Sequence, residues 1–126
     1  MLRDRLTIKG DVAIDTCTVA LSILFSKSSV THGGFSLSKV EAQGFAFSGN
    51  TLDATGRELG HAERYLKSVN PDAKEAAEFQ FHTSTFQKEP SFSGNKFKGG
   101  RVASWDVTAN LKPWVVPLET YQTQDK

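Results

Sequence analysis

The chain has 126 residues, 15 basic and 14 acidic side chains, a net charge of +1, 38% hydrophobic residues and 23% charged ones. That length supports one domain with its own core, and that balance excludes both a disordered chain and a uniformly polybasic one. The single cysteine, Cys17, excludes an intramolecular disulfide and a multi-cysteine zinc site.

The first residues, Met1 to Lys9, mix acids with alternation rather than placing a basic start before an apolar block. The chain is therefore expected to be used from its beginning, without a secretory leader. Arg5 to Lys9 alternate as a half-buried strand, and Gly10-Asp11 marks a turn. From Val12 to Ser26 the chain is rich in β-branched residues, and period two puts Asp15, Cys17, Val19, Leu21, Ile23 and Phe25 on one face. The longest apolar run, Val19 to Phe25, is far shorter than the roughly 20 residues of a membrane-spanning helix. Breakers at Lys27 to Ser29 and His32 to Gly34 enclose the short run Ser29 to Thr31. Alternation resumes at Phe35, Phe45 and Phe47 share a face, and Ser48-Gly-Asn50 makes a turn.

Thr55 to Val69 reads as the main amphipathic helix. Thr55 and Glu58 have the spacing of a capping box, and Leu59, Ala62, Leu66 and Val69 form the apolar stripe. Arg57, Glu58, Glu63, Arg64 and Lys67 form the opposite face, and Asn70-Pro71 stops the helix. A short second helix is expected over about 72–77. Glu78 to Phe86 is a strand with Phe79, Phe81, Thr83 and Thr85 on one face and Gln80, His82, Ser84 and Phe86 on the other. Lys88 to Gly100 reads as a glycine-, serine- and lysine-rich hairpin. The strand Arg101 to Leu111 follows, with Ala103, Trp105, Val107, Ala109 and Leu111 facing the core. Pro113 and Pro117 bracket the edge segment Trp114 to Val116, and the last eight residues are polar and expected to fray.

The word Phe-Ser-Gly-Asn occurs at Phe47 to Asn50 and again at Phe92 to Asn95. Two copies with unmatched flanks read as the same turn chemistry used twice, not as a propeller repeat. The predicted fold is α+β: mostly antiparallel strands in a partly open barrel or sandwich, with the helix of about 55–69 over one end. The domain is expected over 1–118 and the polar tail over 119–126.

Catalytic signatures are sparse. His61-Ala-Glu63 has the H-x-E form of zinc deaminases, but their P-C-x-x-C partner is missing. Glu58 and His61 have the E-x-x-H spacing of di-iron helices, without a second such helix. His32, His61 and His82 lie in a glycine loop, a helix and a strand, a weak basis for a metal site. No P-loop, nucleophile elbow or dinucleotide fingerprint is present. The reading is of a non-catalytic module with no cofactor, no metal and no membrane contact.

Lys88 to Lys112 carries five bases, Lys88, Lys96, Lys98, Arg101 and Lys112, against Glu89 and Asp106, interleaved with Phe86, Phe92, Phe97 and Trp105. Cations near glycines follow a phosphate backbone, and exposed rings stack unpaired bases. The leading expectation is single-stranded nucleic-acid binding in the manner of an OB-like barrel, with Lys88, Lys96, Lys98 and Arg101 as electrostatic contacts and Phe92 and Phe97 as stacking rings.

A second expectation is a self-assembling structural subunit, a homo-oligomer such as a phage-particle protein, with the 88–100 arm and the Trp114 to Val116 edge as contacts. The lone cysteine fits a cytoplasmic location, in a cell, an infected host or a virion. A third is a barrel carrying an apolar ligand among Phe45, Phe47, Phe79 and Phe81. The segments Phe47-Ser-Gly, His61 to Ser68, Phe79-Gln-Phe-His-Thr-Ser and Val107 to Leu118 fall in an order that resembles the YceI lipid-binding barrels. The chain is short for that family by one strand pair, and no site residue is carried over from it.

Overall fold

A computed structural model describes residues 5–117 and the backbone of Tyr121–Gln124. The expectation for the first residues therefore lies partly outside the described ones. Of the expected tail, Tyr121–Gln124 form a strand and the rest also lies outside.

The strands fall into two sheets that the chain visits in alternation. One sheet holds short strands in the order β1 (Thr7–Lys9), β3 (Ser29–Thr31), β5 (Thr51–Asp53), β8 (Asn95–Lys98) and β11 (Tyr121–Gln124), all parallel. The other holds β2 (Val12–Ser26), β4 (Phe35–Ser48), β6 (Phe79–Phe86) and β9 (Val102–Ala109), also parallel. β7 (Ser91–Ser93) continues the β6 coil along β4. Among the described strands only β10 (Lys112–Pro113) runs antiparallel, on the edge of β9.

This is an open parallel solenoid, which corrects the expected antiparallel barrel or sandwich. The short Gly/Ser links do not turn the chain back beside itself. They carry it into the other sheet, so each strand meets its neighbour one full coil later. The Lys88 to Gly100 stretch is accordingly no hairpin: β7 and β8 lie parallel to β4 and β5.

The repeated word is the repeat of the solenoid. Phe25, Phe47 and Phe92 stand in register, as do Ser26, Ser48 and Ser93. Phe25-Ser-Lys-Ser28 is therefore a third, diverged copy. Two positions beyond these serines, Ser28, Asn50 and Asn95 form a buried ladder. Asn50 Nδ2 donates to Phe25 O (2.8 Å) and to Asn95 Oδ1 (3.0 Å), while Asn50 Oδ1 accepts from the Ser28 N–H at 3.0 Å. Asn95 Nδ2 donates to Phe47 O at 2.8 Å, and its Oδ1 accepts from the Asn50 N–H at 3.1 Å. Each amide thus binds the coil before it. The two recognised copies are 45 residues apart and the first two only 22, because an excursion between β5 and β6 lengthens one coil.

Inside, side chains stack by type. Phe25 and Phe47 are 5.6 Å apart at 11°, and Phe47 and Phe92 are 5.2 Å apart at 20°. Ile8, Val30, Leu52 and Phe97 make a second column under the short strands. Phe45 and Phe47 do share the inner face, as do Phe79 and Phe81, and these rings pack in the core, Phe45 and Phe47 on Phe81 and Phe79 on Phe97.

The corners are left-handed residues, also stacked. Thr16, Lys39, Thr83 and Asp106 have φ of 58°, 54°, 53° and 54°, and each follows one member of the registered row Asp15, Ser38, His82, Trp105. A left-handed residue inside a strand reverses which parity faces inward. Phe79 and Phe81 are buried as expected, but beyond Thr83 it is Ser84 and Phe86 that are buried. Beyond Asp106, Val107 and Ala109 are buried, whereas Trp105 lies half-buried on the outer face and Leu111 is 94% exposed. In β2 the same reversal buries Ile14 and leaves Asp15 outside, while Cys17 and Val19 turn toward the core. At the 27/49/94 corner, glycine meets the same need, with φ of 69° at Gly49 and 68° at Gly94.

The helix α1 is shorter than expected, His61–Val69. Thr55 and Glu58 form no capping box. Instead Asp53 Oδ1 accepts the Thr55 N–H at 2.9 Å, Gly56 takes φ of 79°, and Gly60 caps without a side chain. The expected second helix is a 3-10 turn, Lys74–Ala76. α1 buries no residue; it lies beside the solenoid as part of the 54–78 excursion and does not close an end.

Two predictions follow from the ladder and the corners. Asn50→Leu strands the Phe25 carbonyl and the Ser28 N–H and should cost about 3 kcal/mol in chemical denaturation. Lys39→Gly relieves an L-residue held left-handed, and its melting midpoint should rise by the equivalent of about 1 kcal/mol.

Candidate interaction surfaces

The six predicted contact residues do not form one site. Phe92 and Phe97 are 4% and 0% exposed, because both fall on the inward parity of their strands, so neither ring is available for stacking. Lys88 lies exposed in the link from β6 to β7, where its N–H donates to Gln43 O on the long-strand sheet. Lys96 and Lys98 point outward from β8, in the other sheet. Arg101, at the start of β9, donates from its guanidinium to Ala73 O at 2.6 Å and to Pro71 O at 3.3 Å, tying down the excursion.

Lys96 and Lys98 belong instead to a flat outer face that their spacing alone did not reveal. Register lines up Thr7, Ser29, Thr51 and Lys96 in one row and Lys9, Thr31, Asp53 and Lys98 in the next. Three ammonium groups stand there against one carboxylate. Thr55 bonds Asp53 and, with Lys98 nearby, keeps that carboxyl below its ordinary range.

On the outer face of the long sheet, Asp15, Ser38, His82 and Trp105 lie side by side on successive coils. The residue types of a nucleophilic triad are present, but the hydrogen bonds run the wrong way. Asp15 Oδ1 accepts from Thr16 Oγ1 (2.7 Å) and Ser38 Oγ (3.2 Å), and His82 Nδ1 pairs with Thr83 Oγ1 at 2.8 Å. Ser38 thus bonds the Asp15 carboxylate and not the His82 imidazole, which is not a triad. His82 stacks on Trp105 at 4.1 Å and 3°, with Lys74 Nζ 5.2 Å from the Trp105 ring centre. Burial lowers the His82 pKa against the pull of Asp15, Asp106 and Glu75.

Crevices flank the excursion, one of about 480 Å³ lined by Arg57, Lys67, Glu78 and Arg101 among others. Their charges are matched. Arg57 bonds Glu63 and, at 2.8 Å, Asp11; Lys67 bonds Glu78; and the Arg101 N–H donates to Glu78 Oε1 at 3.0 Å. Glu63 and Asp11 raise the Arg57 pKa further. This network clamps the excursion to the corner at Asp11 and Gly34. Gly34 has no room for a side chain there, since a Cβ would come 2.1 Å from Glu78 O.

His32, His61 and His82 do not converge, and no group of three or more metal-binding side chains occurs among the described residues. No helix among them is long and apolar enough to cross a membrane.

The remaining surface is the edge of the long sheet. β2 spans 15 residues and terminates the sheet, with β4 on one side and no described strand on the other. Its Leu21 and Leu24 are 71% and 47% exposed. At the opposite end of this sheet β10 pairs with the last two residues of β9, Trp114 N–H donates to Val107 O at 2.9 Å, Val116 N–H donates to Ser104 Oγ at 3.0 Å, and the Trp114 and Val116 side chains are buried, whereas the short-strand sheet ends on β11. Sequence reading placed the open edge at Trp114 to Val116. The length of the β-branched run from Val12 was the available signal for the other end. Compared with family models, characterised proteins and solved structures, the chain matches none.

The clamp predicts an acid response. Burial opposes ionisation of Asp11 and Glu78, but Arg57 with the Gly34 N–H, and Lys67 with the Arg101 N–H, hold both carboxyls below their ordinary 3.8 and 4.5. Their contribution is complete above pH 4.5 and is lost as pH falls through the lowered values. Hydrogen exchange of the α1 amides should accelerate over that window before the amides of β4 do, and Arg57→Gln should bring the same acceleration at neutral pH.

Proposed function

We propose that this chain is a non-catalytic structural module that works by strand-on-strand self-association. One observation carries the reading: a long sheet edge at one end of the solenoid, with Leu21 and Leu24 exposed and no described strand beyond it. An edge strand of this length, although it is bulged between Val19 and Ser22, is a template for another strand. Static light scattering should give a mass above the 13.8 kDa of one chain, rising with concentration and persisting in high salt. A mass of one chain throughout the concentration series would overturn the reading.

Nucleic-acid binding stands second, resting on Lys9, Lys96 and Lys98 on one flat face. With Phe92 and Phe97 in the core it reduces to phosphate contact alone. Such binding would be weak, indifferent to base identity, steeply reduced by salt, and abolished by Lys96→Glu with Lys98→Glu.

A further inference from the structure

We propose that the outer face of the short-strand sheet docks a linear sulfated glycan, a role apart from the β2 edge. Charge is unevenly placed on this chain. Of the described carboxylates only Asp53 lies on the strands of that sheet, while the others belong to the long sheet, the excursion and the links. Lys9, Lys96 and Lys98 are exposed on the face itself. Lys27 is exposed at its corner, with Cγ 3.6 Å from where a Cβ on Gly49 would stand, so its stem lies over the glycine of the next coil. The ion pairs among the described residues use Arg57 and Lys67, not these four. Where Lys9 meets the excursion it shares a crevice with Glu58, and Asp11 there is bonded by Arg57. Asp53 accepts the Thr55 N–H at 2.9 Å, which leaves a surface rich in donors and suited to an acceptor-rich polyanion.

The rest of the face favours a sugar over a base. Its other outward side chains are the hydroxyls of Thr7, Ser29, Thr31 and Thr51, which donate and accept and so meet ring hydroxyls and sulfate oxygens alike. Ile8, Val30, Leu52 and Phe97 turn inward, so no ring stands outside on β1, β3, β5 or β8 to stack a base. Successive coils lie about 4.8 Å apart, close to the advance of one pyranose along an extended glycan. A chain lying along the row Thr7, Ser29, Thr51 and Lys96 therefore sets about one sugar on each coil. Lys9 stands at one end of that track and Lys96 with Lys98 at the other, three coil steps or about 14 Å away. Their flexible stems carry compact charges to sulfates that project from the sugar rings. The nucleic-acid reading uses the same face, and the test separates the two polymers.

Titration calorimetry with a heparin hexasaccharide, its desulfated counterpart and an oligothymidylate of equal charge tests this. The sulfated sugar should bind about tenfold more weakly at 200 mM salt than at 50 mM, and the desulfated one should not bind. It should also bind about tenfold tighter than the oligothymidylate, the gain from one or two hydroxyl hydrogen bonds. Lys96→Glu with Lys98→Glu should abolish binding, whereas Lys88→Glu with Lys112→Glu, the same charge change away from this face, should leave it. Thr51→Ala should weaken it about fivefold with the salt dependence unchanged. The Lys96 and Lys98 variant should keep the native mass in light scattering and the native circular dichroism, so failure here is distinct from failure of self-association. An oligothymidylate that binds as tightly as the sulfated sugar would overturn the glycan and assign the face to nucleic acid. Equal loss in the Lys88 and Lys112 variant would overturn the site in favour of diffuse attraction. No binding of either polymer at low salt would overturn both readings of the face.

Discussion

The buried ladder of Ser28, Asn50 and Asn95 is the constraint from which the rest of the structure follows. An amide enclosed in an aromatic core is costly unless its donors and acceptor are all met. Here the Asn50 partners are the Phe25 carbonyl and Ser28 N–H on one coil and Oδ1 of the Asn95 side chain on the next. A slip of one coil against another would break these bonds together. Register thus becomes nearly all-or-none, and it sets what stacks on what: phenylalanine on phenylalanine inside, left-handed corner on left-handed corner, hydroxyl and lysine rows outside.

A stack held in this way has two ends and no privileged cavity. The excursion is attached to one corner by matched charges and by Arg101 on two carbonyls, a clamp rather than a receptor. β10, Trp114 and Val116 cover the last long strand. Among the described residues, the first long strand has a neighbour on one side only, and the proposed self-association is argued from that edge.

Strand content was legible where alternation was unbroken. Phe79 and Phe81, and Phe45 with Phe47, were assigned to the core and lie there. Alternation misled across Thr16, Thr83 and Asp106, since a non-glycine residue at positive φ leaves no mark in the sequence and reverses the inward face. Trp105, just before Asp106, was misplaced for that reason, and Leu111 because Asn110 and Leu111 form a left-handed turn between β9 and β10. The helix was over-extended because Thr55 and Glu58 have the spacing of a cap, whereas Asp53, Gly56 and Gly60 impose a turn first. Parallel stacking was hidden by the excursion, which disguised a repeat of one coil, and by the drift of its first copy to Phe25-Ser-Lys-Ser28. With the coils unseen, Phe92 and Phe97 looked like rings in a loop.

The stacked, parallel register of the repeated word is tested most directly by a covalent bond between two of its copies. With Cys17→Ser removing the native thiol, Ser48→Cys and Ser93→Cys place sulfurs on registered neighbours, about 4.8 Å apart at Cα. Oxidation should give an intramolecular disulfide, seen as a two-proton mass loss in the monomer, with the circular dichroism of the parent chain. Thiols that stay free under the same conditions, in a variant that keeps that spectrum, would contradict the coil stack and the account built on it.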